Sequence, residues 1–223
     1  MRLSIQACKL HVLLGLGLGL TGCETVPPTD GARMGPFFQP TNVRGVERLP
    51  AAVRRIALLP SAGGPGVVEE SLLRIDEALV SQFTRTARAE SVPVSRDLLA
   101  RITGLRQIDS TAALPHDLLS RIKSGTQADA VLFVDITSYS PYPPMILGLR
   151  AKLVHLESAD ILWAFDSLFD ASQPAVKNAA RRHALAEGAN FSMTADMSAT
   201  ILQNPFKFAT YVGAAAFTTL PPR

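Results

Sequence analysis

Cysteine is scarce in this chain of 223 residues: Cys8 and Cys23 are the whole supply, both close to the amino terminus. So placed, they cannot supply a disulfide framework or a cysteine-rich metal site to the remainder. The histidines of the body, His116, His155 and His183, are scattered, and none has a second histidine or an acid at metal-ligand spacing on a helix. No apolar run reaches the roughly 20 residues of a spanning helix. The best candidate outside the amino terminus, Phe206 to Leu220, is short, contains Lys207 and reads as a packing helix. No Gly-x-Ser-x-Gly elbow presents a nucleophile. No basic stripe interleaved with aromatics marks a nucleic-acid surface. No internal repeat is visible. The sequence therefore carries no catalytic residues, metal ligands or cofactor motif, and nucleic acid is not an expected partner.

The amino terminus is more specific. Arg2 and Lys9 give a positive start, and an apolar run from Leu10 to Leu20 follows. That run has the roughly 7–15 residues of a signal-peptide core. It ends in Leu20-Thr21-Gly22-Cys23, which resembles the cleavage box of a bacterial lipoprotein signal. The resemblance implies that residues 1–22 are a signal peptide and that Cys23 begins the mature chain. Its sulfur would then carry a diacylglyceryl thioether, usually with a third chain on the amine. Two or more acyl chains hold a protein stably at a bilayer, whereas one does so marginally. Glu24 stands where an inner-membrane retention signal would have Asp, which favours the periplasmic face of the outer membrane. Processing also changes the composition: losing Arg2 and Lys9 lowers Lys+Arg from 22 to 20 against 19 acids, so the net charge falls from +3 to near +1. With Cys8 removed and Cys23 modified, the mature chain has no free thiol.

Residues 23–54 read as the lipidated cysteine and a flexible tether. Pro27, Pro28, Pro36, Pro40 and Pro50 stand among Gly, Thr and Arg, with no hydrophobic period of 2 or 3.6. Phe37 and Phe38 interrupt this composition, and dock either on the domain or on a neighbouring subunit.

The folded domain is expected over 55–220. Arg55–Pro60 suits a buried strand, and Ser61–Gly66 a loop. Val68–Ala89 has a helical stripe of Leu72, Ile75, Leu79 and Phe83. Ser91–Ser95 is a weak strand whose Pro93 argues for an edge. Helices follow at Arg96–Thr103 and from Pro115 to Gly125. Ala130–Thr137 is a nearly continuous β-prone run. After a Pro- and Tyr-rich loop to Pro144, the runs Met145–Leu156 and Ile161–Asp170 form a hairpin joined by Glu157–Asp160. Helices are then expected from Ser172 or Pro174 to Gly188, over Met193–Gln203 and over Pro205–Thr218. The order gives an α+β domain: a single mixed sheet with an antiparallel hairpin, flanked by helices.

Few residues in the domain invite a chemical reading. Gly63, Gly64 and Gly66 follow a strand and precede a helix, but no Lys-Ser/Thr follows, so a tight connection is favoured over a phosphate loop. His155 lies beside Glu157 and Asp160, an ordinary turn lacking a nucleophile. Asp135 interrupts an apolar strand; it is either a poised acid paired with Arg150 or, as favoured here, a strand-end residue bonding loop amides. Tyr139 and Tyr142 lie among prolines and are the preferred interaction candidates, because rigid tyrosines give contact area at little entropy cost. The alternative is that they cover the sheet edge. The hairpin alternates as a transmembrane strand would, but a soluble sheet with one buried face explains the same pattern.

Three segments carry a further resemblance: Arg55–Pro60, Thr126–Tyr139, and Leu149–Ser158 followed by Ile161-Leu162-Trp163. Together they resemble the curli-assembly (CsgG-type) lipoproteins, a group extending to the Pel polysaccharide-export lipoprotein and the lipoprotein activators of penicillin-binding proteins. The resemblance spans about residues 55–170. It implies a periplasmic α/β domain on the outer membrane, often oligomeric, with no catalytic residues to transfer. Function is accordingly expected to be non-enzymatic, as an oligomeric accessory or scaffold for envelope assembly or export. The alternative is a monomeric periplasmic binding module regulating a cell-wall synthase. Partners are then the membrane through the lipid anchor, further copies of the chain, or other envelope proteins.

Overall fold

The computed structural model describes residues 30–64, 66–188 and 195–223. Cys23, the signal segment and the first part of the expected tether lie outside the described residues, as does the start of the helix expected at Met193. In chain order the elements are a one-turn helix α1 (Gly31–Met34), strands β1 (Val43–Gly45), β2 (Arg55–Leu58) and β3 (Ala62–Gly63), and helix α2 (Glu69–Arg85). Strand β4 (Glu90–Pro93), helices α3 (Arg96–Thr103) and α4 (Leu118–Thr126), and strands β5 (Ala130–Ser140), β6 (Ile146–His155) and β7 (Ile161–Asp170) follow. Helix α5 (Pro174–Glu187), the short α6 (Ala195–Ser198), a 3₁₀ turn (Ala199–Leu202) and α7 (Pro205–Phe217) end the chain.

The fold is α+β with one mixed sheet, ordered β1-β7-β6-β5-β2-β4, and β3 also pairs with β5. Strand β2 runs parallel to β4 and β5, while β5, β6, β7 and β1 alternate antiparallel. Helices cover the two faces unequally. Helices α2, α5 and α7 cover one face along its length, whereas α3 and α4 cover the other over β2 and the first part of β5. This explains the unbroken apolar run in β5. Ala130, Leu132, Val134 and Ile136 enter the first layer, and Val131 and Phe133 the second, so neither face can be polar. In β6 and β7 one face is covered along its length, and the other only in part, where Val154 meets the second layer. Leu147, Leu149, Ala151 and Leu153 go inward with Trp163, Phe165 and Phe169, and alternate positions carry Arg150, Lys152 and Asp166.

Helix α2 buries Leu72, Ile75, Ala78, Leu79, Gln82 and Phe83, the stripe that a period of 3.6 requires. Glu69 and Glu70 at its start and Arg85 at its end complement its dipole. It stops four residues before the expected Ala89. The chain must turn through Ala87, at φ +52°, to bring Glu90 into register beside Arg55. Helix α7 starts with Pro205, and the Asn204 side chain accepts a hydrogen bond from Lys207 N at 3.0 Å. It packs closely on α2 because Gly213 lacks a side chain: a Cβ there would lie 3.1 Å from Leu79 Cδ2 and 3.3 Å from Gln82 Cβ. Phe217 meets Phe83 edge-on at 5.5 Å and lies 6.3 Å from Trp163, tying both helices to the sheet. Each such fully buried side chain contributes about 1.5–3 kcal/mol.

The largest departure from expectation is the stretch before Arg55. Its described part, residues 30–54, is not a free tether. Helix α1 packs on α5, and β1 is an edge strand with Val43 opposite Phe165 and Gly45 opposite Trp163. Leu49 and Val53 are buried in the main core. Only residues 24–29 of the expected tether remain, and they lie outside the described residues. Three-residue strands and one-turn helices are stabilised by their neighbours, so they leave no periodicity in the sequence.

Candidate functional site

Phe37 and Phe38 dock on their own domain. Phe38 stands edge-on to Phe169 at 5.1 Å, and its N–H donates to the Ala175 carbonyl at 3.1 Å. The Phe37 ring lies 4.5 Å beneath the Arg182 guanidinium. Both rings are half-buried, so their aromatic area is largely committed within this chain.

The two tyrosines of the β5–β6 connection divide. Strand β5 runs on to Ser140, farther than the sequence suggests, and Tyr139 packs against the main core opposite Leu147. Tyr142 is 78% exposed between Pro141 and Pro143. The two border one groove of about 650 Å³. Its other walls are Glu70, Arg74 and Ile75 on α2, and Asn204, Pro205 and the half-exposed Phe206 at the start of α7. Phe206, Glu70 and Arg74 were not legible as neighbours of Tyr142, because only the packing of α7 on α2 brings them to this end of the sheet. The groove offers rigid aromatic and proline surface with one acid and one base at its rim. That composition suits protein recognition: tyrosine and phenylalanine are enriched at interfaces, and the groove holds no nucleophile–base pair.

Asp135 is the next inward residue of β5 after Val131 and Phe133, where the cover of α3 and α4 gives way to the loop before α4. It is 4% exposed. Its carboxylate accepts from Ser110 N at 2.9 Å and from the Ser110 hydroxyl. Burial raises its pKa above the ordinary carboxylate value, and the Ser110 bonds only partly oppose this; Asp109 adds to the rise and Arg150 counters it. Arg150 on β6 is paired opposite Asp135, but its Nε donates to Asp166 Oδ2 at 2.9 Å. The bonding is therefore that of a strand residue holding a loop. Lys152 Nζ, donating to the Ser110 carbonyl at 2.7 Å, fastens the same loop. A raised folded-state pKa means that Asp135 supports the fold fully below the ordinary carboxylate pKa. That support is lost as pH rises through the folded-state value. Asp135→Asn keeps an acceptor for Ser110 and is expected to flatten this decline. Urea midpoints measured from roughly pH 4 to 7 read it, and an unchanged slope would show that Asp135 does not drive the decline.

A second buried polar cluster was not expected. Arg96, 6% exposed at the start of α3, donates through Nη2 to Asp76 Oδ2 at 2.9 Å and to the Ser61 carbonyl at 3.0 Å. Asp76 Oδ1 accepts from Ser61 N at 2.8 Å and from the Ser61 hydroxyl at 2.6 Å. This cluster sits beyond the carboxyl end of β2, the position where open α/β sheets admit ligands. Here β3 occupies that crevice. Gly64 N donates to the Ile136 carbonyl at 3.1 Å, and Gly63 N to Gln107 Oε1 at 3.4 Å, so both amides are engaged. A Cβ on Gly63 would come within 2.9 Å of Leu72 Cδ1, so this glycine serves close packing of the connection on α2.

The turn after β6 brings His155, Ser158 and Asp160 together. Ser158 Oγ donates to Asp160 Oδ2 at 2.6 Å, and Ser158 N donates to His155 Nδ1 at 3.2 Å. A relay for nucleophilic catalysis needs the acid on the histidine and the histidine on the hydroxyl. Here His155 Nδ1 does lie 3.0 Å from Ser158 Oγ, but the acid accepts from the hydroxyl and not from the histidine, as in a side-chain-capped turn. Among the described residues, no group of three or more His, Cys, Asp and Glu could hold a metal ion. None of the described helices is long and apolar enough to cross a membrane.

No family model matches the chain, and no curated protein matches it. Among solved structures, it is similar to the PelC dodecamer from Paraburkholderia phytofirmans, at 10% identity over 81% of this chain and 98% of that one, with a TM-score of 0.44. It is also similar to lipoprotein GNA1162 from Neisseria meningitidis, at 17% identity over 52% of this chain and 81% of that one, with a TM-score of 0.40. A third likeness is to protein XCC0632 from Xanthomonas campestris, at 14% identity over 81% and 93% of the two chains, with a TM-score of 0.34. At these scores the likenesses carry no functional inference.

Proposed function

We propose that this chain is a non-enzymatic lipoprotein of the bacterial envelope, anchored through Cys23 at the periplasmic face of the outer membrane. In this reading it acts as an oligomeric accessory or scaffold for envelope assembly or export. The observation that carries the reading is Leu20-Thr21-Gly22-Cys23 at the end of a short apolar run with a basic start. Glu24 favours the outer membrane. The resemblance of residues 55–170 to the curli-assembly lipoproteins favours self-association. The groove bordered by Tyr139, Tyr142 and Phe206 supplies a surface suited to a protein partner. The exposed Tyr142 equally favours a second reading, a monomeric module that docks on a cell-wall synthase through that groove.

A photocrosslinker at position 142, together with native mass measurement in detergent, separates the two readings. The scaffold reading expects a mass of several chains and adducts between copies. A strict monomer at micromolar concentration, crosslinked to a different protein, would overturn it in favour of the second. Position 142 suits the test because its side chain is mostly solvated, so replacement leaves the core unchanged.

A further inference from the structure

The described chain begins at a clamp. Asp30 caps α1, accepting from Ala32 N at 3.1 Å, and its Oδ1 lies 3.0 Å from Arg181 Nη1 on α5. Asn178 Nδ2 donates to the Pro36 carbonyl at 3.3 Å, and the Phe37 and Phe38 contacts follow. Gly31 fits beneath this clamp because a Cβ there would strike the Asn178 side chain at 2.3 Å. Residues 30–38 are thus laid over α5.

Six residues, Glu24 to Thr29, separate Cys23 from that clamp. At about 3.5 Å per residue the fully extended link spans roughly 25 Å, and a flexible one averages about 15 Å. A domain of this size has a radius of gyration of about 16 Å, so it is roughly 40 Å across. An anchor on so short a link cannot reach round the body. With Cys23 in the bilayer, the α1–α5 side is the one held near it.

The chemistry of that side is independent of the link. Arg33 on α1 and Lys177 and Arg182 on α5 are exposed. The acids of the same two elements are already used, Asp30 by Arg181 and Glu187 by Arg85 at 2.6 Å. Met34, next to Arg33 in α1, is 72% exposed. Exposed cations around an apolar side chain suit a bilayer interface, because basic residues are drawn to an anionic surface while the apolar one enters it.

We infer that the α1–α5 face lies against the headgroups of the anchoring membrane. Arg33, Lys177 and Arg182 meet anionic phospholipid there, and Met34 enters the interface. This orientation rests on the lipid anchor at Cys23. It leaves the loop between α3 and α4, on the opposite layer, directed away from the bilayer.

The test uses the full chain, processed in a bacterial membrane and reconstituted in vesicles of phosphatidylethanolamine and phosphatidylglycerol. With Cys23 blocked by lipid, Met34→Cys or Leu114→Cys supplies a single free thiol for a fluorophore. Lipids carrying a headgroup nitroxide should quench the label at position 34 several-fold more than that at 114, which lies on the α3–α4 side. Arg33→Glu with Lys177→Glu and Arg182→Glu should lower the quenching at 34 towards that at 114, with the short link alone still keeping 34 the more quenched. Equal quenching at 34 and 114 in protein that floats with the vesicles would overturn the orientation and leave the anchor standing. Failure of the unmutated chain to float with the vesicles would overturn the anchor, and this inference with it.

Discussion

Cys23→Ser, exported on a secretory signal with its own cleavage site, is expected to appear in the soluble periplasmic fraction, while the unmutated protein sediments with membranes. The expectation follows from magnitudes. Each buried methylene of an acyl chain contributes about 0.8 kcal/mol, and two chains already give stable attachment. The competing contribution is the α1–α5 surface, whose three exposed cations together add about 3 kcal/mol at low salt. That is roughly a hundredfold in partitioning, which physiological salt further screens. If Cys23 is lipidated, the acyl chains decide the location, and the basic face only strengthens the orientation that the short link imposes. Fractionation at two salt concentrations reads both effects. A Cys23→Ser protein that remained wholly with membranes at high salt would place the attachment elsewhere in the chain.

Arg96→Ala is expected to destabilise the domain by about 3 kcal/mol, the low end of the range for removing one partner of a buried ion pair. The low end applies because Asp76 is still 20% exposed and keeps both Ser61 bonds. Burial already raises the Asp76 pKa in spite of Ser61 and Arg96, so losing the guanidinium leaves a carboxylate less able to stay ionised. The Ser61 carbonyl loses a donor at the same time. A loss of this size is a large part of the 5–15 kcal/mol typical of a folded domain. Arg96→Met combined with Asp76→Asn removes both charges and should cost less than the two single changes summed. Urea unfolding of the four proteins reads the coupling, and strict additivity would show that the pair does not act as a unit.

How far the sequence was legible depended on the range of the contacts involved. The α2 stripe and the β6–β7 hairpin are readable because each states its own period over about ten residues, and the β5 run because it is apolar almost without a break from Ala130 to Thr137. Gly125 shows the limit. It was read as the end of a helix, yet it lies inside α4, where a Cβ would come within 2.5 Å of Ile102 Cδ1 on α3. The helix ends instead at Gln127, in the left-handed region at φ +54°. A glycine needed for close approach looks in sequence like one needed for a turn. Likewise α1 and β1 were hidden because their partners, α5 and β7, lie more than a hundred residues away. The Ser61–Asp76–Arg96 cluster was hidden because an arginine just after a helix cap resembles any surface residue. The groove was half legible: the tyrosines were visible in the sequence, but the α2 and α7 walls that make them a site were not.

The N-terminal peptide of the mature protein, isolated from membranes and weighed by mass spectrometry, tests the lipid anchor most directly. The expected result is a peptide beginning at Cys23 whose mass includes at least two acyl chains, and its absence from the Cys23→Ser protein. A peptide beginning elsewhere, or Cys23 with a free thiol, would contradict it.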